Sequence, residues 1–520
     1  MSRLREFIAS HAGRPALLGC LGAVLITAGG MGAGSTRLRD PLLETLDLSW
    51  LRFGHGLVLA SMILWTGVGL MLIAWIWLGR FIIGGADARS NRGYRADEYQ
   101  MIVTTGFWLA PLLVSVPMFS RDTYSYLAQG ALLRDGFDPY VVGPVENPNV
   151  LLDNVSTIWT TTTAPYGPAF ILVAKLVTML AGNNMVLGTI VLRLCMLPGL
   201  ALLIWAAPRI ARHIGTSGPA ALWICVLNPL VIIHLMGGVH NEMLMVGLMA
   251  AGIALTLTRH PVTGVALVAV GAAVKATAGL ALPFLVWVWL RQLRERREMQ
   301  PLTAFFAAAA SSVAIFVGVF AVLSWAAGVG LGWLTALAGS VKIINWLTVP
   351  TAAANLINVV GSLFGTVQFY AVLEVTRLVG IGVIVVALPV LWWRFRRDDR
   401  EALIGITAVM IVVVLFVPAA LPWYYTWPLA VMAALTQSRA WVAAIAGFST
   451  WIMVIFKPDG SHGMYSWLHV GIASACAAGA WYWLYKTPRA APVVSTPEPV
   501  PAAPLPSPGA SAGRRPDVHS

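Results

Sequence analysis

The chain has 520 residues, of which 58% are hydrophobic and only 11% are charged. Soluble globular domains carry about 25% charged residues, so this composition excludes an ordinary soluble protein. The net charge of +12 does not indicate a nucleic-acid partner, because the basic residues occur in short clusters between apolar segments. We therefore expect a polytopic membrane protein embedded in a lipid bilayer.

Apolar runs begin near the N-terminus and recur along the chain. Residues 16–34, 54–78, 402–417 and 471–485 are the clearest, and each approaches or exceeds the roughly 20 residues that cross a bilayer core. Placing the arginine clusters on the cytoplasmic side gives about fourteen spans, with both termini cytoplasmic. The predicted fold class is an all-α polytopic membrane domain.

That domain covers residues 1–489 and leaves a tail, 490–520, rich in Pro and Ala. The tail cannot bury a core, and we expect it to be disordered on the cytoplasmic side.

The same topology leaves a long extracytoplasmic loop, 120–183, between the third and fourth spans. Its last part, 168–182, is apolar enough to span, but a span there would place the next arginine cluster outside. We therefore predict an amphipathic helix lying on the outer surface, with Lys175 and Thr178 on its wetter side.

A second long apolar stretch, 262–290, raises the same difficulty. A single crossing would expose the arginines that follow it. The prediction is two short legs that meet near Lys275 and Gly279 and pack against neighbouring helices.

Asp122 directly follows the third predicted span, and Tyr124 and Tyr126 come shortly after it. A carboxylate at the bilayer surface is partly desolvated and can act as a general base at neutral pH. The alternative is structural, because tyrosines anchor helices at the headgroup level and an Asp can cap the next helix.

Aromatic residues of the loop and of a later segment could bind sugar rings. Asp138 and Tyr140 belong to an Asp-Pro-Tyr turn, Tyr166 precedes the surface helix, and Trp423 and Tyr424 lie in an aromatic run. Flat aromatic faces suit the C–H faces of sugars, although Trp and Tyr are common at any membrane interface. An Asp before Pro is more often a turn former than a catalyst.

His240, Asn241 and Glu242 follow one another at the outer end of the fifth span. Three consecutive polar side chains offer donors and acceptors for hydroxyl groups, so they are candidates for binding substrate. Asn241 could instead simply cap the following helix, whereas a carboxylate at the start of a span usually has a partner or a function.

Six basic residues are candidates for binding a lipid-linked phosphate on the outer side. Three fall within predicted spans and three in outer loops, where each could also reach ordinary phospholipid phosphates. They are Arg193, Lys275, Lys342, Arg377, Lys457 and His462.

No phosphate-binding glycine motif or Asp-x-Asp occurs in a plausible soluble domain, so any activated donor must itself be membrane-borne. The four cysteines lie inside apolar runs, without the spacing of a metal site or a disulfide framework. We expect no metal ion and no other cofactor.

Five segments together resemble one known family. They are FSRDTYSYLAQGALLRDGFDPY, TAPYGPAFILVAK, LNPL, GGVHNEML and LPWYYTWP. They resemble the actinobacterial α-(1→6)-mannopyranosyltransferases of the MptA/MptB family, and within it the lipomannan-elongating branch. The resemblance extends over the whole chain except the Pro-rich tail.

The resemblance implies a GT-C glycosyltransferase, a helical membrane fold whose first large outer loop carries the catalytic carboxylate. In this sequence that carboxylate falls on Asp122. It also implies a polyprenyl-phosphate-mannose donor and a lipid-anchored α-(1→6)-mannan acceptor, as in lipomannan and lipoarabinomannan. A β-linked donor and an α-linked product would need one inversion, with Asp122 as the general base.

Two other classes of protein remain open from the residues. A secondary transporter or lipid flippase also uses many helices, but it usually concentrates its polar groups at the membrane midplane. A structural scaffold of a cell-wall complex would need no outer polar pocket. The crowding of polar residues at the outer surface favours an enzyme in the plasma membrane, with its active site on the extracytoplasmic face.

Overall fold

Long apolar segments produce long helices here, because a helix satisfies its own backbone hydrogen bonds where water is absent. The structure, a computed structural model, describes residues 2–84, 97–337, 343–436 and 438–487. Within these ranges the chain is all-helical apart from its loops, and the single β-type pairing is one bridge between Phe456 and His462. The predicted tail, 490–520, and Lys342 lie outside the described residues.

The first half of the chain contains α1 (Ser2–Ala9), α2 (Gly13–Ala33), α3 (Pro41–Thr45), α4 (Gly54–Gly84), α5 (Glu98–Leu112), α6 (Asp122–Arg134), α7 (Pro168–Ala181), α8 (Met185–His213), α9 (Gly218–Cys225) and α10 (Glu242–Leu257). The second half contains α11 (Pro261–Val274), α12 (Leu282–Arg297), α13 (Pro301–Ala327), α14 (Trp333–Ala336), α15 (Val349–Gly361), α16 (Phe369–Arg394), α17 (Asp399–Phe416), α18 (Thr426–Leu435), α19 (Arg439–Ile455) and α20 (Trp467–Tyr485). A π-helix covers Leu230–Gly237, and 3-10 helices cover Ser49–Arg52, Pro144–Glu146, Leu152–Asn154, Ala276–Ala281 and Pro422–Tyr425.

Several helices have the length and composition of membrane spans. Within the described ranges, six segments are long and apolar enough to cross a bilayer: α2, α4, α8, residues Ala276–Arg297, α13 and α16. The pair formed by α9 and the π-helix, bent by 50°, adds a seventh if it is counted as one span. The all-α membrane class is thus confirmed, and the total of about fourteen spans stays a prediction.

The segment 168–182 forms a helix of its own, as predicted. Helix α7 ends at Ala181, and the next helix, α8, begins at Met185. The predicted wetter side was wrong at Thr178, which is buried and whose hydroxyl donates to the carbonyl oxygens of Ala174 and Lys175. The exposed face of α7 is apolar instead, as expected for contact with lipid, and carries Leu176, Met179 and Leu180.

The stretch 262–290 is interrupted where the sequence predicted a break. Helix α11 ends at Val274, a 3-10 helix covers Ala276–Ala281, and α12 continues from Leu282. The break leaves Lys275 in extended backbone, with φ −148° and ψ 124°. This residue is therefore free to project sideways from the helix axis.

Ion pairs join several helix ends at one side of the bundle. Asp399 of α17 accepts from Arg291 of α12 at 2.7 Å and lies 2.8 Å from the His213 ring at the end of α8. Arg212 is paired with Glu98 at the start of α5. We call this group of five residues the basic end. Helix α12 begins close to Lys275, and its Arg291, nine residues after the first residue of the helix, lies about 14 Å along it.

Candidate active site

Asp122 is the first residue of α6, and a strained turn leads into it. Phe119 has a φ of +65°, a left-handed conformation that residues other than glycine rarely adopt. Its N–H donates to the carbonyl oxygen of Pro458 at 2.7 Å, and the Ser120 hydroxyl accepts from the Asp122 N–H at 3.0 Å. Such strain costs about 1–3 kcal/mol and persists only where the surroundings fix it. The position of Asp122 is therefore set by the fold.

A second strained turn lies beside the first. Val239, a buried β-branched residue, has a φ of +57°. Arg193 of α8 holds the start of this turn, since its guanidinium donates hydrogen bonds of 2.8–3.1 Å to the carbonyl oxygens of Leu113, Met236 and Gly237. Arg193 is fully buried, and its three contacts are all backbone oxygens. Its position is that of a structural residue.

The two turns bring Asp122 next to His240. The Asp122 Oδ2 lies 3.7 Å from the His240 Nδ1, and the Tyr126 hydroxyl lies 3.5 Å from the same nitrogen. The imidazole stacks on Trp423, with ring centroids 3.7 Å apart. Burial lowers the pKa of His240 well below its ordinary value, so the ring is neutral. His240 therefore contacts Asp122 as a polar but uncharged neighbour.

The environment of Asp122 tunes its acidity towards neutral pH. Burial, followed by the nearby charge of Glu242, raises the pKa of Asp122 to about 6. The hydrogen bond with Ser120 and the charge of Lys275 act in the opposite direction. A carboxylate with this pKa is ionised at pH 7 yet holds a proton much better than an ordinary Asp, as a general base should.

The positive charge of Lys275 lies in the same site as Asp122. Its ammonium donates to the Glu242 carboxylate at the start of α10, and its side chain is only 13% exposed. Aromatic rings surround the ammonium, with centroids at 4.4 Å for Tyr424, 5.4 Å for Trp427 and 5.9 Å for Tyr166. The rings and the carboxylate together stabilise a cation away from water.

The Tyr-Gly-Pro segment before α7 requires its glycine for a close approach to α11. A Cβ at Gly167 would lie 2.3 Å from the carbonyl oxygen of Ala273, and the Gly167 N–H donates to the Val274 carbonyl oxygen at 3.3 Å. This contact places Tyr166 beside Lys275. A larger residue at 167 would push the two segments apart.

A cavity of about 490 Å³ lies above these groups. Its polar lining residues include Asp122, Ser125, Gln129, Thr162, Thr163, Lys275 and Thr277. Its aromatic lining residues are Trp159, Tyr166, Trp423, Tyr424 and Trp427. A mostly apolar and aromatic cavity with a few convergent polar groups is typical of a binding site for an organic substrate.

The residues predicted to bind substrate fall into two layers. Tyr166, Trp423 and Tyr424 line the cavity together with Asp122. The turn that carries His240, Asn241 and Glu242 is fully buried and supports the lining from behind. His240 therefore contacts Asp122 and Glu242 contacts Lys275, while neither of them lines the cavity.

Four other predicted residues stabilise the first outer loop. The Tyr124 hydroxyl donates to the carbonyl oxygen of Ser35 at 2.6 Å. Asp138 accepts from the Tyr140 N–H at 2.8 Å. This contact is that of a turn-forming Asp, the alternative to a substrate contact. The Tyr140 hydroxyl donates to the Tyr166 carbonyl oxygen at 2.8 Å, and Tyr126 packs edge-on against the Tyr166 ring. The contacts of Tyr140 and Tyr126 thus position Tyr166 beside the cavity.

The basic residues are less clustered than the sequence suggested. Of those described, Lys275 lines the cavity, whereas Arg193 is used by backbone carbonyls. Arg377 donates to the carbonyl oxygen of Ile343, a cavity-lining residue, at 2.7 Å. Lys457 and His462 belong to the loop that is held by the bridge at Phe456. Among these residues, Lys275 is therefore the candidate for binding a phosphate in the cavity.

Sequence reasoning missed the uncharged polar residues of the cavity. Ser125 and Gln129 follow Asp122 by three and seven residues on α6, a spacing that places all three on one helix face. The Ser125 hydroxyl and the Gln129 Oε1 are buried and have no hydrogen-bond partner among the described residues. The same holds for the Thr277 hydroxyl. Helical spacing from Asp122 is the signal that could have found the first two.

A second cavity, of about 450 Å³, adjoins the first at Ala276. It lies between the start of α12 and α16, and its lining is almost entirely apolar. The other lining residues are Gly279, Leu280, Pro283, Phe284, Leu388, Pro389 and Trp392. A polar cavity joined to an apolar one suits a ligand with a polar head and a hydrocarbon chain.

Metal-binding side chains do not cluster in the described part of the chain, where no group of three or more His, Cys, Asp or Glu residues could hold an ion. Metal-independent chemistry stays a prediction.

Fold and site together define an integral membrane protein with an aromatic cavity that is lined by one carboxylate of raised pKa, Asp122, and one largely buried cation, Lys275. Comparison with known proteins identifies the family to which this membrane protein belongs. A family model described as "Alpha-(1->6)-mannopyranosyltransferase, N-terminal domain" matches residues 16–291. A second, the "MptB C-terminal domain", matches residues 350–486.

Individual relatives agree with the family models. The chain is 69% identical to α-(1→6)-mannopyranosyltransferase A of Mycobacterium tuberculosis H37Rv, over 96% of both chains. It is 37% identical to the enzyme of the same name from Corynebacterium glutamicum, over 87% of this chain and 94% of the relative. The chain therefore belongs to the MptA/MptB family of α-(1→6)-mannopyranosyltransferases, as its motifs predicted, and it is a glycosyltransferase of the mannosyltransferase class.

Proposed function

We propose that the protein transfers mannose from polyprenyl-phosphate-mannose to a growing α-(1→6)-mannan chain of lipomannan and lipoarabinomannan. The observation that carries this proposal is the cavity in which Asp122, with its raised pKa, and Lys275 meet, within a chain of this family. The acceptor is a mannan held on a lipid anchor, so both substrates reach the site from the membrane.

The proposed reaction is a single displacement with inversion at the anomeric carbon. The acceptor 6-hydroxyl oxygen forms a bond to that carbon as its proton passes to Asp122. The bond between the anomeric carbon and the phosphate oxygen breaks, and polyprenyl phosphate leaves with the electron pair. A positioned general base contributes about 10²–10⁴-fold to such a step.

Negative charge develops on the leaving phosphate, and Lys275 is the residue suited to stabilise it. Its ammonium lies in a site shielded from water, where an electrostatic contact is stronger than in bulk solvent. In this proposal no protonating acid is needed, because a phosphate neutralised by a cation is a competent leaving group.

The adjoining apolar cavity supports a polyprenyl donor. A donor whose phosphate contacts Lys275 can direct its hydrocarbon chain past Ala276 into the groove between α12 and α16. Burial of apolar chain there is favourable by about 25 cal/mol per Å². The aromatic side of the first cavity, with Trp159 and Trp423, is then left for the mannose units.

We further propose the GT-C architecture with about fourteen spans in the plasma membrane. In this arrangement the cavity opens on the extracytoplasmic face and both termini are cytoplasmic. The basic end supports this orientation, because it gathers Arg212 and Arg291 on the side away from the cavity. Cytoplasmic ends of membrane helices are enriched in arginine.

A transfer assay with purified protein tests the proposal. The reaction contains radiolabelled polyprenyl-phosphate-mannose and a short α-(1→6)-mannoside acceptor, and the expected product is a labelled oligomannoside longer by one or more residues. Digestion with a linkage-specific mannosidase checks the α-(1→6) bond. Movement of donor across a vesicle without transfer would favour the transporter alternative and contradict the proposal.

A further inference from the structure

Glu242 contacts Lys275 but is not among the described residues that line the cavity. Its side chain is fully buried, its Oε1 accepts from the Lys275 ammonium, and its Oε2 has no partner in the described part of the chain. Because Glu242 lies behind the lining, it can influence a substrate only through the residues in front of it.

We infer that Glu242 is a positioning residue, the fixed counter-charge that keeps Lys275 protonated and directed at the donor phosphate. The inference rests on the proposed function. It reassigns Glu242 from a sugar contact to the support of the cation.

The charge balance of the site requires such a partner. An ammonium buried among Tyr166, Tyr424 and Trp427 is costly unless an opposite charge compensates it, and the rings alone compensate it only in part. Glu242 supplies this charge while the cavity is empty. Without it, burial would be opposed only by Asp122 and the Tyr424 phenol, so the pKa of Lys275 would fall and its ammonium would be retained less well for contact with a phosphate.

Glu242 is also well fixed for this role. It is the first residue of α10, where the positive end of the helix stabilises a carboxylate. The turn before it is held by Arg193, and His240 of the same turn contacts Asp122. One turn thus contacts both the proposed base and the cation, through His240 and Glu242.

The groups around the two charges determine the pH signature. Lys275 is faced by Glu242 from α10, by Asp122 from α6, and by the phenols of Tyr166 and Tyr424. Removing the charge of Glu242 lets the Lys275 ammonium lose its proton at lower pH. It also lowers the pKa of Asp122, which Glu242 raises. The acid limb of the pH profile, which depends on Asp122, and the alkaline limb, which depends on Lys275, then both move to lower pH.

The test compares Glu242→Gln with the parent protein in steady-state transfer assays between pH 5 and 9. In the parent protein the alkaline limb lies above this range, because burial, which lowers the pKa of Lys275, is outweighed by the charge of Glu242, which raises it. We expect Glu242→Gln to shift the acid limb to lower pH and to move the alkaline limb down towards the assayed range. We also expect the KM for polyprenyl-phosphate-mannose to rise about tenfold or more at pH 8, because a buried charge has lost its partner. The KM for the mannoside acceptor should stay within about twofold. Glu242→Asp keeps the charge and should restore the position of both limbs.

Asp40→Asn is the matched control, because Asp40 is also a buried carboxylate, paired with Arg37 at 2.6 Å, but does not line the cavity. It should lower stability without moving the pH limbs. If Glu242→Gln does not fold, the double variant Glu242→Gln/Lys275→Met should recover folding, since it removes the uncompensated charge.

Three results would overturn the inference. One is a uniform loss of rate in Glu242→Gln with unchanged limbs and unchanged donor KM. Another is a double variant that is no more stable than Glu242→Gln. Absence of transfer by the parent protein would remove the proposed function, and the inference with it. Either of the first two results, obtained with active parent protein, would remove the inference alone.

Discussion

A single carboxylate at the start of α6 has the environment that base catalysis requires. Asp122 is 15% exposed, enough to meet a hydroxyl group in the cavity but too little to be solvated like a surface Asp. Asp122→Asn keeps the shape and removes the base, so we expect transfer to fall by about 10²–10⁴-fold. The measurement is the rate of label incorporation at saturating donor.

Folding provides the control for that variant. Since the raised pKa of Asp122 means that its charged form is disfavoured by the fold, the asparagine should not lower the thermal stability at neutral pH. Donor binding should also persist. Near-normal turnover of Asp122→Asn would show that another group takes the proton.

The pH dependence of the parent enzyme follows from the same residue. As the proposed general base, Asp122 acts in its deprotonated form, and its pKa is raised to about 6. The value of kcat/KM should therefore be half-maximal near pH 6, level off about one pH unit higher, and fall by about tenfold per pH unit well below pH 6. An acid limb near the ordinary pKa of an Asp, about 4, would contradict the structural environment of Asp122.

Gln129 tests whether the helix face of Asp122 recognises sugar hydroxyls. Its Oε1 is buried without a partner among the described residues, which costs stability in the empty protein. Gln129→Leu should thus keep or raise the unfolding temperature while lowering kcat/KM about tenfold, the equivalent of one lost hydrogen bond. Comparison with Ser125→Ala, one turn closer to Asp122, shows whether the effect changes along the helix. Unchanged kcat/KM in both variants would exclude this face from substrate binding.

At the scale of elements, the site depends on how α8 holds the turn before α10. Arg193 donates to three backbone carbonyls from the interior of α8. Arg193→Met leaves these oxygens unpaired in an apolar environment, so we expect a loss of about 3 kcal/mol or more in stability. Thermal unfolding in detergent measures it.

The matched control is Arg212→Met on the same helix. Arg212 is half exposed and paired with Glu98, and a pair of this kind contributes at most about 1 kcal/mol. If the two variants unfold at the same temperature, the three buried hydrogen bonds of Arg193 do not hold the turn.

The same elements show what the sequence could predict. The break at Lys275 and the separate helix α7 followed from the position of arginines, because charge must end on one side of a membrane. The orientation of Thr178 did not follow, because a hydroxyl that bonds to its own helix can face an apolar core.

The positions of the site residues show the same limit. The presence of Asp122, Tyr166 and Trp423 at one cavity could be predicted because motifs and interface chemistry single these residues out. The contact of Glu242 could not be predicted, since a carboxylate gives no sign in sequence that its partner is a lysine 33 residues away.

At the scale of the whole molecule, the cavity lies near the start of α12, and the basic end lies about 14 Å further along this helix, at Arg291. The proposed lipid-linked donor and lipid-anchored mannan place one requirement on this arrangement: the cavity must open on the side where the mannan is extended. The orientation is therefore part of the proposed mechanism, and it can be measured independently of catalysis.

Site-directed thiol labelling tests it in a background in which the four natural cysteines are replaced by serine. Val141 is 72% exposed in the loop after α6, and Glu298 is exposed just after α12 at the basic end. Val141→Cys should react with a membrane-impermeant maleimide in intact spheroplasts, and Glu298→Cys only after permeabilisation. The reverse pattern would put Asp122 on the cytoplasmic side, away from an extracytoplasmic mannan, and would contradict both the topology and the proposed reaction.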